Sequence, residues 1–273
     1  IDPIREKLVM SLFTGLGWRR NLLAETPEHA NLIMADSPIL FENELATLHE
    51  VPDHPVATVQ CTWPLAEGEE GLSAALDRLC AEAEAGIRNG ARLVVLTDRG
   101  IDEAHVGVPM LLATGAVHHH LIRTGLRMKA SLICDTAEAR EVHQIACLIG
   151  YGASAVCPYL AYETCREVLE KDAMLPPAKQ QLAGVAYTEA LGNVRKALEN
   201  GLLKIMSKMG ISVLASYHGA QIFEAIGIGE AVISRAFDGT PSKVGGIGFI
   251  EIARESLARH AKAFATAVPT DKN

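Results

Sequence analysis

Three consecutive imidazoles, His118-His119-His120, are the residues whose type most invites chemistry, since histidine is both a common metal ligand and a proton carrier near neutral pH. Their spacing works against one shared ion. On a helix, successive side chains point about 100° apart, whereas helical ligand pairs stand three or four residues apart. The run reads either as part of a metal site that His143 completes in space or as polar side chains near a helix end, bonded to loops or to a partner domain.

A second set stands where short apolar runs stop: Asp98-Arg99, Asp135, Pro158-Tyr159 and Ser216-Tyr217-His218. In parallel α/β sheets, functional groups gather at the carboxyl ends of strands. The plain alternative is that Asp98 and Asp135 cap or tether the following loops. No nucleophile and base pair stands out among them. A third candidate is Gly239-Thr240-Pro241-Ser242-Lys243-Val244-Gly245-Gly246-Ile247-Gly248, because amides opening a helix beside a lysine can hold phosphate. The P-loop order G-x-x-x-x-G-K-[ST] is absent, so an ordinary tight connection competes with that reading.

The elements that must position these groups alternate as βα units. Apolar, largely β-branched runs predict strands at Val56–Thr62, Leu93–Thr97, Ala130–Cys134, Ala155–Tyr159 and Ile211–Ser216. Leu72, Leu76, Leu79, Ala83 and Ile87 recur at three and four residues and predict a helix over Gly71–Asn89 that stops at Gly90. Further helices are expected from Pro109 to Gly125, Glu138 to Ile149, Ala178 to Met209 with a bend or break near Gly184 or Gly192, and Ile247 to Phe264. The fold expected is α/β: parallel βα units forming an incomplete or degenerate barrel-like sheet flanked by helices. Residues 1–50 read as an N-terminal connecting arm with a helix around Pro3–Leu12, and residues 51–273 as the α/β domain.

Composition narrows the function classes. The chain has 273 residues, 49% hydrophobic and 21% charged, enough to bury a sizeable core. Its formal charge of -8 repels a phosphate backbone, so no nucleic-acid partner is expected. The longest uncharged stretch, Ile145 to Tyr162, holds Gly150, Gly152, Ser154 and Pro158 and suits helix, turn and strand better than a membrane span. Cys61, Cys80, Cys134, Cys147, Cys157 and Cys165 form no C-x-x-C pair and suit reduced, buried thiols in a cytoplasmic protein. No signal peptide is visible, and the opening Ile1 points to a longer parent.

Long words spread along the chain then become recognisable. They include Ile1-Asp2-Pro3-Ile4-Arg5-Glu6-Lys7-Leu8-Val9-Met10-Ser11-Leu12, Ala116-Val117-His118-His119-His120-Leu121-Ile122-Arg123, Glu138-Ala139-Arg140-Glu141-Val142-His143, Gly201-Leu202-Leu203-Lys204-Ile205-Met206-Ser207-Lys208-Met209-Gly210 and Gly219-Ala220-Gln221-Ile222-Phe223-Glu224-Ala225. With these, essentially the whole chain resembles the central domain of the glutamate synthase large subunit. The resemblance implies an oxidoreductase acting on CH–NH2 donors, which makes two glutamates from glutamine, 2-oxoglutarate and a reductant. It implies as partners an amidotransferase domain and an FMN domain of the same polypeptide, joined by an ammonia tunnel. FMN and an iron–sulfur cluster belong to the parent, with no cofactor in this fragment.

Under that resemblance the chain is an interdomain spacer and possible tunnel wall, not catalytic alone. Asp2, Arg5, Glu6, Met10, Ser11, His118, His119 and His120 are the expected tunnel or interface residues. Free ammonia protonates in water, so such a route needs dry, rigid walls. The rival reading is a self-sufficient small βα enzyme or phosphate-ligand binder that uses the carboxyl-end rim.

Overall fold

A computed structural model describes residues 6–265. In chain order the first half runs α1 (Glu6–Val9), β1 (Thr14–Leu16), β2 (Ile33–Ala35), α2 (Glu42–Leu48), β3 (Val56–Gln60), β4 (Thr62–Pro64), α3 (Gly71–Arg88), β5 (Leu93–Thr97), β6 (His105–Gly107), α4 (Met110–Arg123) and β7 (Ser131–Asp135). The second half runs α5 (Val142–Gly150), β8 (Ala153–Cys157), α6 (Tyr159–Ala173), α7 (Tyr187–Met209), β9 (Ala225–Ile228), α8 (Glu230–Ala236), β10 (Ser242–Ile247) and α9 (Phe249–Ala263).

Four strands form the central sheet in the order β3-β5-β7-β8, all parallel. Every residue of β5, β7 and β8 is buried, as strands covered on both faces require. The pleat sorts them into two cores. Val94, Leu96, Leu132, Cys134 and Val156 pack against Leu76, Leu79, Val117, Leu121, Ile145 and Ile149 from α3, α4 and α5. Leu93, Val95, Ile133, Ala155 and Cys157 face the other way, onto Leu16, Leu40, Leu45, Leu48 and Tyr162. Residues ahead of β3 therefore cover much of one face of the sheet, with Tyr162 of α6 completing it.

The sheet is an open one, and its β8 edge is sealed by the same segment. Leu40 N–H donates to the Val156 carbonyl at 2.9 Å, and Val156 N–H donates to the Pro38 carbonyl at 2.7 Å. This pairing explains why Ile211–Ser216, expected as a fifth strand, does not join the sheet. The edge it would use is taken, so Val213 makes a single parallel bridge with Ser11 and Leu214–Ser216 closes into a 3-10 turn.

Helix α3 follows its predicted stripe, with Leu72, Leu76, Leu79, Ala83 and Ile87 buried and Gly90 at φ 105° ending it. Helix α7 starts at Tyr187 and runs unbroken through Gly192, so the interruption falls on the Gly184 side. Tyr159, placed at a strand end by its apolar neighbours, instead opens α6. Outside the central sheet, β4 pairs antiparallel with β6 and β9 pairs parallel with β10.

Candidate functional site

The carboxyl ends of β5 and β7 carry a closed polar network. Arg99 grips Asp135 with both arms of its fork, Nε to Oδ2 at 2.7 Å and Nη2 to Oδ1 at 3.1 Å, and also reaches Glu42 at 2.8 Å. Thr97 donates its hydroxyl to Asp135 at 2.8 Å. Asp98 accepts from the Thr136 hydroxyl at 2.6 Å, the Tyr159 hydroxyl at 2.7 Å and the Ala137 N–H at 3.0 Å. The Arg99 guanidinium lies 4.0 Å over the Tyr159 ring.

Burial, with the nearby Asp135 charge, raises the Asp98 pKa even though three donors oppose the shift. Burial and then Asp98 itself raise that of Tyr159. Burial works against the Arg99 charge, but Asp135 and Glu42 hold it above the ordinary arginine range. Each carboxylate in this rim is held by its neighbours, an arrangement that ties strand ends to loops. Thr136 and Glu42 were not legible as members. The signal for Thr136 is the mirrored pair Thr97-Asp98 and Asp135-Thr136 at the ends of neighbouring strands, whereas Glu42, on α2, has none.

The histidine run diverges, as helical geometry requires. His118 Nδ1 accepts from Arg127 Nε at 2.9 Å, His119 Nδ1 donates to the Gly115 carbonyl at 2.9 Å, and His120 Nε2 meets Glu84 at 2.6 Å. Among the described residues no group of three or more His, Cys, Asp or Glu could hold a metal ion. The six cysteines are free, and burial pushes the Cys134 thiol up to about 12 and those of Cys80 and Cys147 to about 11. Scattered, protonated thiols do not fit iron–sulfur ligation, which needs grouped thiolates.

His218 sits apart from the rim where sequence reasoning placed it. Because Ile211–Ser216 is no sheet strand, its end is not at the carboxyl edge. His218 instead lines a cavity of about 200 Å³ with Gly17, Arg19, His118, Arg127, Ser131 and Ser154, beside the amino ends of β7 and β8. The Gly239–Gly248 segment also differs from expectation. It carries strand β10, Lys243 pairs with Glu224 at 3.5 Å, and the Gly248 N–H that opens α9 donates to Glu251 at 2.8 Å. The amide and lysine imagined around a phosphate already have carboxylate partners.

Of the arm candidates, Asp2 and Arg5 lie outside the described residues, and Glu6 begins α1. Ser11 N–H donates to the Ser212 carbonyl at 2.9 Å. Met10 and Ser11 line an open groove of about 460 Å³ with Leu12, Asp36, Lys196 and Leu203. Beside it Leu8, Val9 and Phe13 are exposed, Leu8 by 81%.

A family model described as the glutamate synthase central domain matches residues 1–229. The chain belongs to that glutamate synthase central domain family. As a member, it is 47% identical over 268 residues to the chloroplastic ferredoxin-dependent glutamate synthase of rice, covering 97% of this chain and 17% of the relative. A ferredoxin-dependent glutamate synthase of Synechocystis is 48% identical over 269 residues, with the same two shares. The NADH glutamate synthase of Schizosaccharomyces pombe is 41% identical over 277 residues, covering all of this chain and 13% of the relative. This central domain thus spans less than a fifth of the length of the relatives it matches. Among solved structures, the flavin-binding domain of baker's yeast flavocytochrome b2 is 14% identical at a TM-score of 0.41, covering 66% of this chain and 37% of that one. Scores that low carry no conclusion about chemistry. Among the described residues no helix is long and apolar enough to cross a membrane.

Proposed function

We propose that this chain is the central spacer of a glutamate synthase polypeptide, holding an amidotransferase domain and an FMN domain in register and walling part of the route by which ammonia passes between them. The observation that carries the reading is the extent of the match: nearly the whole chain aligns, at close to half identity, with a small share of much longer glutamate synthases. On this reading the parent supplies the FMN and the iron–sulfur cluster, and glutamine cleavage and imine reduction take place in other domains. Residues 1–50 serve as the connecting arm and residues 51–273 as the body, in a cytoplasmic, thiol-reducing setting.

Within that role the arm's exposed face is the docking surface. Leu8, Val9 and Phe13 stand in water beside the Met10 and Ser11 groove, and exposed apolar side chains gathered in this way commonly mark contact surfaces. His118 and His120 tie α4 to Arg127 and Glu84 of neighbouring elements, whereas His119 bonds back to Gly115 of its own helix.

The reading is tested in the full-length parent enzyme with the pair Leu8→Glu and Phe13→Glu. Expected is an uncoupled enzyme that hydrolyses glutamine but releases ammonia to the medium, with glutamate formation from glutamine down at least tenfold. Glutamate formation from added ammonia stays near that of the parent. Unchanged coupling in the double variant would remove the arm from the interface.

A further inference from the structure

The cavity at the amino end of the sheet gathers positive charge without a counter-charge. Arg127 donates to three neutral acceptors: His118 Nδ1, the Ala130 carbonyl at 2.8 Å and the Gly152 carbonyl at 2.7 Å. No carboxylate among the described residues pairs with Arg127 or Arg19. The Arg19 guanidinium makes no hydrogen bond to the described protein, although its side chain is half-buried and lines the cavity. His218 Nε2 is sealed from solvent and has no partner, while the backbone at Ala153 engages the ring's other N–H, so Nε2 of the neutral ring is an acceptor that becomes a donor on taking up a proton with an anion. Because His118 Nδ1 accepts the Arg127 proton, its hydrogen resides on Nε2, which makes that ring a further donor. Ser131 and Ser154 complete the lining.

Leaving guanidinium charge and a sealed ring nitrogen unanswered in a recess is costly, and this chain does so in a molecule of net charge -8. The groups come from separate segments, namely the arm, α4, the loop after it, the starts of β7 and β8, and the turn ending at His218. Donors arriving from several directions suit an oxyanion with acceptors on every side. At about 200 Å³ the space holds one such ion and a few waters, each taking about 30 Å³.

We propose that this cavity is a binding site for a small oxyanion of phosphate size, held by Arg19, Arg127, His118 and His218. The site lies at the opposite end of the sheet from the carboxyl rim. It stands independently of the spacer role. Inorganic phosphate and a phosphomonoester present the same chemistry, and the difference between them is whether the cavity mouth leaves room for a substituent.

The test uses the full-length parent enzyme in phosphate-free chloride buffer. Inorganic phosphate, glycerol phosphate and acetate are titrated in separate calorimetric arms, and crystals are soaked in tungstate. Expected are one-to-one saturation by phosphate, acetate at least tenfold weaker, and an anomalous peak between Arg19 and His218. Saturation by glycerol phosphate as well would assign a phosphomonoester, and its failure free phosphate. Arg19→Gln, which breaks no hydrogen bond within the described chain, weakens phosphate at least tenfold, and His218→Phe abolishes the peak. Absence of saturable heat, a peak elsewhere, unchanged affinity in both variants, or a carboxylate from another domain filling the cavity would each overturn the proposal.

Discussion

The two ends of one parallel sheet solve opposite electrostatic problems. At the carboxyl end Asp98, Asp135 and Glu42 are matched by Arg99, Thr97, Thr136 and Tyr159 within a few ångströms. At the amino end Arg19, Arg127, His118 and His218 face one cavity without an acid, and nearby Arg20, Arg92 and Lys129 crowd the Trp18 ring, Arg20 at 3.4 Å. A saturated network stiffens what it joins, whereas an unsaturated one keeps capacity for something that arrives later. Side chains of the same kind should therefore differ in what their loss costs.

The largest effect is expected at the saturated end. Asp98→Ala strips the acceptor from a fully buried Thr136, from Tyr159 and from the Ala137 amide. Urea unfolding should show a loss of about 3 kcal/mol, since buried orphan donors each cost about 1–3 kcal/mol and the raised Asp98 pKa already offsets part of the pair energy. A loss near zero would mean the network is ornamental.

Acid comes next, and it acts on the other end. Burial, then Arg127, His119 and His218 nearby, lowers His118 to about 3, and burial with Arg19 and Arg127 lowers His218 to about 3. Asp238 stands near the first ring, lining an adjoining recess. Ordinary histidine titrates near 6.5, so the unfolded chain takes the protons first and stability falls as pH drops from about 6.5 toward 3. At pH 5 the loss is roughly 1–2 kcal/mol for each ring, measured as a shift in the urea midpoint between pH 7 and pH 5. His118→Gln with His218→Gln should flatten that window.

The smallest effect completes the contrast. Arg19→Gln removes a charge that no described residue answers, so stability in chloride buffer should stay within about 0.5 kcal/mol or rise slightly. A clear destabilisation would show that Arg19 supports the fold and bring the two ends closer in character.

Much of the framework was legible because its signals are local. The stripe Leu72, Leu76, Leu79, Ala83 and Ile87 fixes α3, and the apolar runs at Leu93 and Ser131 are buried on both sides whatever else happens. Ile211–Ser216 misled because its β-branched pattern is real, but the Pro38–Leu40 segment claims the available edge, and propensity yields to tertiary competition. The pair β9 and β10 hid behind glycine, in Ala225-Ile226-Gly227-Ile228 and Ser242-Lys243-Val244-Gly245-Gly246-Ile247, because strand propensity is low there. The carboxyl rim could be anticipated at Asp98, Arg99, Asp135 and Tyr159, each at or beside a strand end. The basic cavity could not, since Arg19, His118, Arg127 and His218 come from four stretches that form no motif.

One glycine registers how tightly that cavity's wall is set. Gly152 has φ 114°, and a Cβ there would fall 2.2 Å from His118 Nδ1, so the ring rests directly on main chain.

The pairing of Pro38–Leu40 with Val156 has a consequence for handling the molecule. A truncation or proteolytic nick that detached the segment ahead of Phe41 would free the Val156 amide and carbonyl and strip Leu16 and Leu40 from the cover of Leu93, Val95 and Ile133. An open ladder beside a partly uncovered apolar face is a template for edge-to-edge self-association. The leading segment thus acts as this sheet's own guard against aggregation.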